Sequence, residues 1–272
     1  MIVILSVIVG LGFAWFCVKY PWWRPAVGDA QPRILMYHMV REPILGAKLN
    51  GLRVSPSAFE RQIAWLQRNG WRFSFLSELM NSPSISKRTV VITFDDGFED
   101  NYTNALPVLR KYGAKATLFL VVQRENNDWS VKKKAHHSSG EVVAEPKLSD
   151  DQVREMIDSG CFEIGGHSLS HADFSKLSSE EKRHEMAEGS RILREQFDVS
   201  VDTYAYPFGI YDAEDVALAK ETGHVAAVTT VEGIDSDVHV NPHELKRVKV
   251  SGRKNFLYFV LSMRIGFRAL CK

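Results

Sequence analysis

Two adjacent carboxylates, Asp95 and Asp96, directly follow an apolar run of the sequence. The run is VVITF over residues 90–94, it has the composition of a buried strand, and Gly97 follows the pair. Two like charges at the end of a core strand repel each other and lose their hydration, which is unfavourable unless a cation or a reaction makes use of them. The pair therefore indicates a metal site or a catalytic site at this position.

Two histidines, His167 and His171, stand four residues apart in EIGGHSLSH over 163–171, where Gly165 and Gly166 are expected to break a second strand. An isolated pair of this kind is as typical of hydrogen-bonded strand-end residues as of ligands. Two imidazoles and one carboxylate at the same rim of one barrel would form the ligand set of a catalytic divalent metal. Such a metal would bring the pKa of its water to about 7 and polarise a carbonyl group.

The two aspartates would then take different roles. One carboxylate binds the metal, and its neighbour takes a proton from the metal-bound water. Successive residues of a regular strand point to opposite faces, so Gly97 has to break the strand if Asp95 and Asp96 are to reach one site.

The surrounding segments alternate between strands and amphipathic helices from residue 33 to residue 250. Apolar runs such as RILMY over 33–37 predict the strands, and capping boxes that begin at Ser149 and Ser178 predict two of the helices. Roughly eight strands that alternate with helices predict a parallel α/β barrel. The active site of such a barrel lies at the carboxyl ends of its strands, and both aspartates fall there.

The composition is that of an ordinary globular protein. The chain has 272 residues, 45% of them hydrophobic, and a net charge of +1, which is not the pattern of a disordered chain or of a protein that binds nucleic acid. The cysteines, Cys17, Cys161 and Cys271, are odd in number and far apart. Neither a disulfide framework nor a cysteine zinc site is therefore predicted.

The amino-terminal segment has the properties of a membrane anchor. Residues 2–18 carry no charge and are long enough to cross a hydrocarbon core of about 30 Å as a helix. Tyr20, Trp22 and Trp23 follow and resemble an interfacial aromatic belt. A cleaved signal peptide fits less well, because no Lys or Arg precedes the apolar run and no small-residue cleavage site follows it. A single transmembrane helix over residues 1–20 is predicted, with the lipid bilayer as a partner.

The charges beside this anchor bear on its orientation. Lys19, Arg24 and Arg33 all lie on its carboxyl side, so the positive-inside rule favours a bacterial-type inner (plasma) membrane protein with a cytoplasmic catalytic domain. A signal anchor that exports the domain to the periplasmic side is the alternative. A linker over 21–32 is expected to separate the anchor from a barrel that spans 33–252.

One polar segment, over residues 123–147, interrupts the alternation of strands and helices. It contains consecutive lysines over 132–134, followed by His136 and His137. A charge run of this kind usually belongs to a solvated insertion. The functional alternative is a rim loop in which Trp129 stacks on the substrate.

The last segment, over residues 253–272, is predicted to form an amphipathic helix. Its apolar residues recur at helical spacing and its arginines lie on another face: Phe256, Phe259, Val260, Met263 and Phe267, with Arg264 and Arg268. This helix is expected to pack against the barrel, or alternatively to lie on the membrane with its basic face toward anionic headgroups.

Three segments resemble the first three motifs of the NodB-homology polysaccharide deacetylases, carbohydrate esterase family 4. They are TFDDGFEDNYTNALPVLRKYGAKATLFLV, GGHSLSH and YAYPFG, and the similarity covers roughly residues 33–250. The resemblance implies a distorted (β/α) barrel and the metal-dependent hydrolysis of an acetyl group, commonly an N-acetyl group, from a sugar. It also implies that Asp95 is the general base and that Asp96, His167 and His171 bind the metal, expected to be Zn²⁺ with Co²⁺ or Ni²⁺ as alternatives.

The third motif departs from the family pattern. It usually reads Arg-x-Pro-Tyr, whereas this chain has AYPF over 205–208. The oxyanion would be stabilised by the backbone N–H of Phe208, which a change of side chain leaves intact. The arginine that orients the base in the family is missing, and Arg247 is predicted to take its place.

The fifth motif, Leu-x-Ile-x-His in the family, reads LKRVKV over 245–250 and has no histidine at the expected place. His38, at the end of the first predicted strand, is the leading candidate for the general acid, and His243 is the second. The alternative for His38 is a purely structural role, as a residue that packs at the mouth of the barrel. Tyr37 and Asp212 are further candidates for residues that line the site.

The expected function is the removal of acetyl groups from an amino-sugar glycan: a cell-surface polysaccharide, a lipopolysaccharide core or a lipid-linked glycan. An O-acetyl esterase on the same scaffold is one alternative. A carbohydrate-binding relative with weakened catalysis is a second, because the motif arginine and histidine are missing. A non-heme iron oxygenase, which also uses two histidines and a carboxylate, is a third.

Overall fold

A ring of parallel strands forms the centre of the protein. The computed structural model describes residues 2–125 and 140–266, with side chains from residue 9 onward. The strands are β1 (Arg33–Tyr37), β2 (Met39–Val40), β3 (Arg53–Val54), β4 (Arg72–Ser74), β5 (Thr89–Asp96), β6 (Ala116–Leu120), β7 (Phe162–Gly166), β8 (Thr203–Ala205), β9 (Ala226–Glu232) and β10 (Leu245–Lys249). The helices are α1 (Ile2–Lys19), α2 (Pro56–Arg68), α3 (Leu76–Asn81), α4 (Leu106–Tyr112), α5 (Asp150–Asp158), α6 (Ser179–Phe197), α7 (Ala213–Glu221) and α8 (Phe256–Ile265).

Seven of these strands close the barrel within the described residues. The ring runs β1–β10–β9–β8–β7–β6–β5 and returns to β1, and each of its pairs is parallel. The strand β4 pairs with the first residues of β5, and the short strands β2 and β3 pair with each other outside the ring. The sequence predicted roughly eight barrel strands, one more than the barrel has. The extra strand is β4, which forms as predicted but pairs only with β5 and is not part of the ring.

The barrel strands are apolar because they are covered on both faces. Every position of β1, β5 and β6 is buried, and parallel strands that lie between a barrel interior and a layer of helices read as continuous apolar runs. The helices α5 and α6 begin at the predicted capping boxes, where Ser149 and Ser178 accept backbone N–H groups of the first turn. This architecture brings the carboxyl ends of the strands to one rim.

The chain begins with α1, in which Leu11, Phe13 and Trp15 are exposed. Within the residues that the structure describes, none of the helices has the length and hydropathy of a membrane span, and the transmembrane helix expected over residues 1–20 is not found among them.

The linker that follows α1 is held by the side chain of Arg33. Its guanidinium donates to the carbonyl oxygens of Met263 at 2.7 Å and Val27 at 3.0 Å, and it lies 5.3 Å from the centre of the Trp71 ring. Arg33 is only 1% exposed. Arg33, one of the charges counted for the membrane orientation, therefore lies inside the fold, where its N–H donors satisfy backbone carbonyl groups.

The carboxyl-terminal helix α8 packs against α2. The ring of Phe259 lies 5.9 Å from that of Trp65, and Leu261 and Met263 are buried. Several predicted features lie outside the described residues: Trp129, the lysines over 132–134, His136, His137, Phe267, Arg268 and Cys271.

Candidate active site

The carboxyl end of β5 leaves regular strand geometry at Asp96. Its backbone φ is 80°, in the left-handed region that non-glycine residues rarely adopt, and Gly97 follows at 88°. The break therefore comes one residue earlier than the sequence predicts. It changes the direction in which the Asp96 side chain points, so both aspartates contact groups at the same rim although they are adjacent in a strand.

Asp96, His167 and His171 converge on one point. Oδ1 of Asp96 lies 3.3 Å from Nε2 of each histidine, and the two Nε2 atoms are 3.2 Å apart. The strand register explains this, because Asp96 pairs with Leu120 of β6, and Leu120 pairs with Gly166 of β7, which directly precedes His167. The three residues predicted as metal ligands thus form a buried group that could hold an ion.

The chemistry of this group fits a divalent cation. Nδ1 of His167 lies 2.7 Å from the carbonyl oxygen of Ala205, which can only accept a hydrogen bond. In the neutral imidazole the proton is therefore on Nδ1, and the lone pair of Nε2 faces the Asp96 carboxylate. These two electron-rich atoms repel each other at 3.3 Å, and a cation between them removes the repulsion. A histidine that binds a metal through one ring nitrogen usually donates a hydrogen bond from the other, often to a backbone carbonyl oxygen.

The histidine segment keeps its strand through two glycines, contrary to the expected break. β7 includes both Gly165 and Gly166. A Cβ atom at residue 165 would lie 2.5 Å from the ring of Phe119, and one at residue 166 would lie 2.8 Å from Oγ of Ser190. Close packing inside and outside the barrel therefore requires these glycines, and the strand ends directly before the first histidine ligand.

Asp95 is held by Arg247 of β10. Nη1 of Arg247 donates to Oδ1 at 2.6 Å and Nη2 donates to Oδ2 at 2.8 Å. The guanidinium also donates to the carbonyl oxygen of Thr229 at 2.8 Å and to Oγ1 of Thr93 at 3.0 Å. A bidentate pair of this kind fixes the orientation of the carboxylate. The structure therefore brings Arg247 to the residue that the missing motif arginine was expected to orient.

The two aspartates remain ionised in spite of their burial. Burial by itself raises the pKa of Asp95, but the Arg247 guanidinium outweighs this effect and holds that pKa below its ordinary value. Burial also raises the pKa of Asp96, yet the neighbouring imidazoles of His167 and His171 hold it well below its ordinary value. Both carboxylates are thus in the form that a base and a metal ligand require.

His38 and Phe208 are both neighbours of this centre. Nε2 of His38 is 3.9 Å from Oδ2 of Asp95, and the side chain is 17% exposed, so a substrate can reach the ring. The ring of Phe208 lies 4.2 Å from that of His171, and its backbone φ is 58°. Phe208 is therefore a neighbour of the ligand group, as its predicted role as a donor to an oxyanion requires.

His243, the second candidate for the general acid, lies at the opposite end of the barrel. It precedes β10, and its Nε2 is 2.8 Å from the carbonyl oxygen of His224, which precedes β9. Residues that precede parallel strands lie at the amino-terminal end, away from the rim that carries Asp95. The expectation for His243 is therefore wrong.

Tyr37 and Asp212 do not line the site either. The hydroxyl of Tyr37 donates to Oε1 of Gln62 at 2.8 Å, and its fully buried ring belongs to the core between the barrel and α2. Asp212 caps α7 by accepting the backbone N–H of Glu214 at 2.9 Å, and it pairs with Lys182. Each polar group is explained by a structural contact.

The buried histidine at the amino-terminal end, His224, predicts sensitivity to acid. Its ring nitrogens contact Oγ of Ser190 at 2.9 Å and Oγ1 of Thr222 at 3.0 Å, and burial lowers its pKa from 6.5 to about 4. The unfolded chain binds a proton here below pH 6.5, whereas the folded protein does so only near pH 4. The stabilisation is therefore complete above pH 6.5 and is lost as the pH falls toward 4, by about 3 kcal/mol in the free energy of unfolding.

Urea unfolding of the wild type and of His224→Gln at neutral pH and near pH 4 measures this effect. We expect the pH dependence to be smaller in the variant, which carries no titrating ring. His239→Gln, in an exposed loop, is the matched control and should retain the wild-type dependence. Equal pH dependence in His224→Gln and the wild type would contradict the prediction.

Two titratable groups near the rim were not singled out from the sequence. Nζ of Lys147 donates to the carbonyl oxygens of Val142 at 2.7 Å and Glu145 at 2.6 Å, and burial lowers its pKa to about 8. Asp100 accepts the backbone N–H of Val40 at 2.9 Å, and burial raises its pKa to about 6. The position of Asp100 inside DDGFEDN was an available signal, whereas no pattern marks Lys147.

Comparisons with known proteins agree with this geometry. Residues 83–227 match the family model described as polysaccharide deacetylase. The chain is 32% identical over 233 residues to YxkH of Bacillus subtilis (strain 168), named as a polysaccharide deacetylase, which covers 84% of this chain and 75% of that protein. It is 28% identical over 187 residues to the poly-beta-1,6-N-acetyl-D-glucosamine N-deacetylase of Staphylococcus aureus (strain MSSA476), which covers 65% of this chain and 60% of that protein.

A solved structure has the same fold. The Streptococcus pyogenes deacetylase PplD in complex with acetate matches with a TM-score of 0.71 and 25% sequence identity, over 86% of this chain and 99% of that chain. The seven-stranded parallel barrel is thus the barrel of the deacetylases, as the motifs implied. The chain belongs to the polysaccharide deacetylase family, and it is a hydrolase that acts on carbon–nitrogen bonds other than peptide bonds.

Proposed function

We propose that this protein removes N-acetyl groups from a glycan that contains N-acetylglucosamine, in a metal-dependent reaction. The observation that carries the proposal is the pairing of two carboxylates at one rim. Asp95, bound by Arg247, stands beside a ligand group of Asp96, His167 and His171. The named substrate of the Staphylococcus aureus relative supports the choice of sugar.

Asp96, His167 and His171 would hold Zn²⁺, or alternatively Co²⁺ or Ni²⁺, which lowers the pKa of a water molecule and polarises the acetyl carbonyl when it is bound. Asp95 takes a proton from the attacking water, and Arg247 keeps the Asp95 carboxylate ionised and oriented.

Two further groups complete the reaction. The backbone N–H of Phe208 donates to the oxyanion that forms on the acetyl oxygen. His38 donates a proton to the sugar nitrogen as the carbon–nitrogen bond breaks. The water oxygen joins the acetyl carbon as the carbon–nitrogen bond breaks, Asp95 releases its proton to solvent and His38 regains one from it. The products are an ammonium group on the sugar and acetate. The partial exposure of His38 beside Asp95 supports this role.

The inner-membrane location expected from the sequence is also a proposal, with the catalytic domain on the cytoplasmic side. The exposed side chains of Phe13 and Trp15 support contact with a bilayer, and Lys19 and Arg24 follow them. Protease accessibility of the catalytic domain in spheroplasts distinguishes the cytoplasmic side from the periplasmic side.

Metal removal is the direct test of the proposed reaction. We expect chelator-treated protein to release no acetate from poly-β-1,6-N-acetylglucosamine, and added Zn²⁺ or Co²⁺ to restore the release, because the ligand group needs a cation to activate water. Acetate and new free amine are measured in the same sample, and their amounts should be equal.

Two histidine variants make this test specific. His171→Ala should lose metal binding and acetate release, whereas His184→Ala, on the exposed surface of α6, should lose neither. Acetate released only from O-acetylated glycans, without new amine, would replace the proposal by an O-acetyl esterase. Metal binding without release from any glycan would favour a carbohydrate-binding relative, and oxygen consumption would favour an iron oxygenase.

A further inference from the structure

The loop that carries both histidine ligands has an unfavourable backbone conformation. Ser168 and His171 have φ angles of 67° and 60°, both in the left-handed region. Non-glycine residues hold this conformation only where surrounding contacts impose it. One contact is internal, since the backbone N–H of His171 donates to Oγ of Ser168 at 2.8 Å. The remaining contacts come from outside the loop.

Glu185 of α6 contacts the middle of this loop. Its carboxylate accepts the backbone N–H of Ser170 at 2.9 Å through Oε2 and the Ser170 hydroxyl at 2.6 Å through Oε1. Its backbone carbonyl accepts the N–H of Leu169 at 3.0 Å. One residue of the helix therefore holds two consecutive residues between the ligands His167 and His171. Hydrogen bonds to a charged acceptor are stronger than those between neutral groups.

Gly189 allows the helix to come this close. It lies one helical turn after Glu185, on the same face of α6. A Cβ atom at residue 189 would lie 2.8 Å from the backbone nitrogen of Leu169 and 2.9 Å from the carbonyl carbon of Ser168. Both neighbours are backbone atoms, which cannot rotate away as a side chain can. Any larger residue would therefore displace the ligand loop.

The opposite side of the loop is held by the chain that follows β6. The backbone N–H of Gln123 donates to the carbonyl oxygen of Leu169 at 2.8 Å. The loop thus lies between this segment and α6, and the contacts of α6 fix it from one side. Loss of those contacts would let the loop relax toward an ordinary backbone conformation and separate the two histidines.

We propose that Glu185 and Gly189 are positioning residues for the metal site: Glu185 holds Ser170, and Gly189 admits the loop backbone. They contact neither the metal nor the substrate, and they act on metal affinity through the geometry of His167 and His171. This inference rests on the proposed function, because it takes the ligand group to be a metal site.

The test is a titration of the metal-free full chain with Co²⁺ and Zn²⁺. Calorimetry measures the binding of both ions, and the absorption spectrum of Co²⁺ reports the geometry of its ligands. Removal of a residue that orients metal ligands typically lowers affinity by about 10- to 100-fold, and we expect this loss in Glu185→Ala. Glu185→Gln should bind the metal nearly as tightly as the wild type. Its amide oxygen can accept a hydrogen bond from the Ser170 N–H, and its amide NH₂ can donate one to the Ser170 hydroxyl.

Gly189→Ala should also lose affinity, although alanine in place of glycine ordinarily stabilises a helix. A thermal unfolding measurement of the metal-free proteins separates the two effects. Glu188→Ala is the matched control, because Glu188 lies on the same helix but pairs with Arg191 at 2.6 Å. It should bind metal as the wild type does.

Wild-type affinity in both Glu185→Ala and Gly189→Ala would overturn the positioning role while leaving the proposed function intact. An equal loss in Glu188→Ala would also overturn it, since the loss would then reflect α6 in general. A wild-type protein that binds no metal would overturn the proposed function itself, and the positioning role with it.

Discussion

Asp95→Asn is expected to lower kcat for acetate release by about 10²- to 10⁴-fold, the range of effects for removal of a general base. An amide cannot take the proton of the attacking water, although it has nearly the same shape as the carboxylate. Metal affinity should remain close to that of the wild type, because Asp95 contacts Arg247 and not the two histidine ligands. Steady-state kinetics and a metal titration on the same preparation measure both quantities.

Two other aspartate variants distinguish this role from the alternatives. Asp96→Asn should lose metal affinity together with activity, because Oδ1 of Asp96 faces both histidine ligands. Asp212→Asn should retain full activity, because Asp212 caps α7. Activity of Asp95→Asn within a few-fold of the wild type would exclude Asp95 as the base.

Arg247→Ala is expected to lower kcat/KM by about 10²-fold, the effect of a small misplacement of a catalytic group. It should also lower the free energy of unfolding by about 3–5 kcal/mol, because it leaves a buried carboxylate without its partner. Arg247→Lys should recover only part of both losses, because an ammonium group cannot form the bidentate contact to Oδ1 and Oδ2 of Asp95.

The pH profile shows whether Arg247 acts through Asp95. In the wild type the guanidinium holds the pKa of Asp95 below its ordinary value against the opposing effect of burial. Without Arg247 the effect of burial remains, so the pKa of Asp95 should rise. Since the base works only when ionised, the acid limb of kcat/KM should move to higher pH in Arg247→Ala.

A second buried arginine provides the control for general destabilisation. Arg33 is 1% exposed and donates to backbone carbonyl groups near α8, far along the barrel from the rim. Arg33→Ala should therefore lower stability without moving the acid limb. If the two variants moved it equally, or if Arg247→Ala left kcat/KM unchanged, the orienting role of Arg247 would be refuted.

The ligand group could be predicted because its members belong to short motifs at strand ends. Asp96 ends β5, and His167 directly follows β7. The carboxyl ends of parallel strands meet at one rim, so two local patterns were enough to predict that distant residues meet. Arg247 was predicted because the third motif lacks the arginine that usually orients the base. Its contact with Asp95 joins residues that are 152 positions apart in the chain.

The errors have a common physical origin. His243 was proposed because of its residue type, but the strand that follows it assigns it to the opposite end of the barrel. The glycines at 165 and 166 were interpreted as a strand break, whereas Phe119 and Ser190, which exclude a Cβ there, come from other elements. In each case the residue type was compatible with the predicted site or strand break, but contacts with other elements gave the residue a different role.

By itself, the sequence determined the order of strands and helices, the types of the ligands and their spacing, because these depend on local propensity, capping and periodicity. Only the tertiary structure decided that the strand breaks at Asp96, that Arg247 binds both carboxylate oxygens of Asp95 and that α6 holds the loop between His167 and His171. These features depend on contacts between elements far apart in the chain. No local pattern encodes such contacts, because their energy exists only once the barrel has closed.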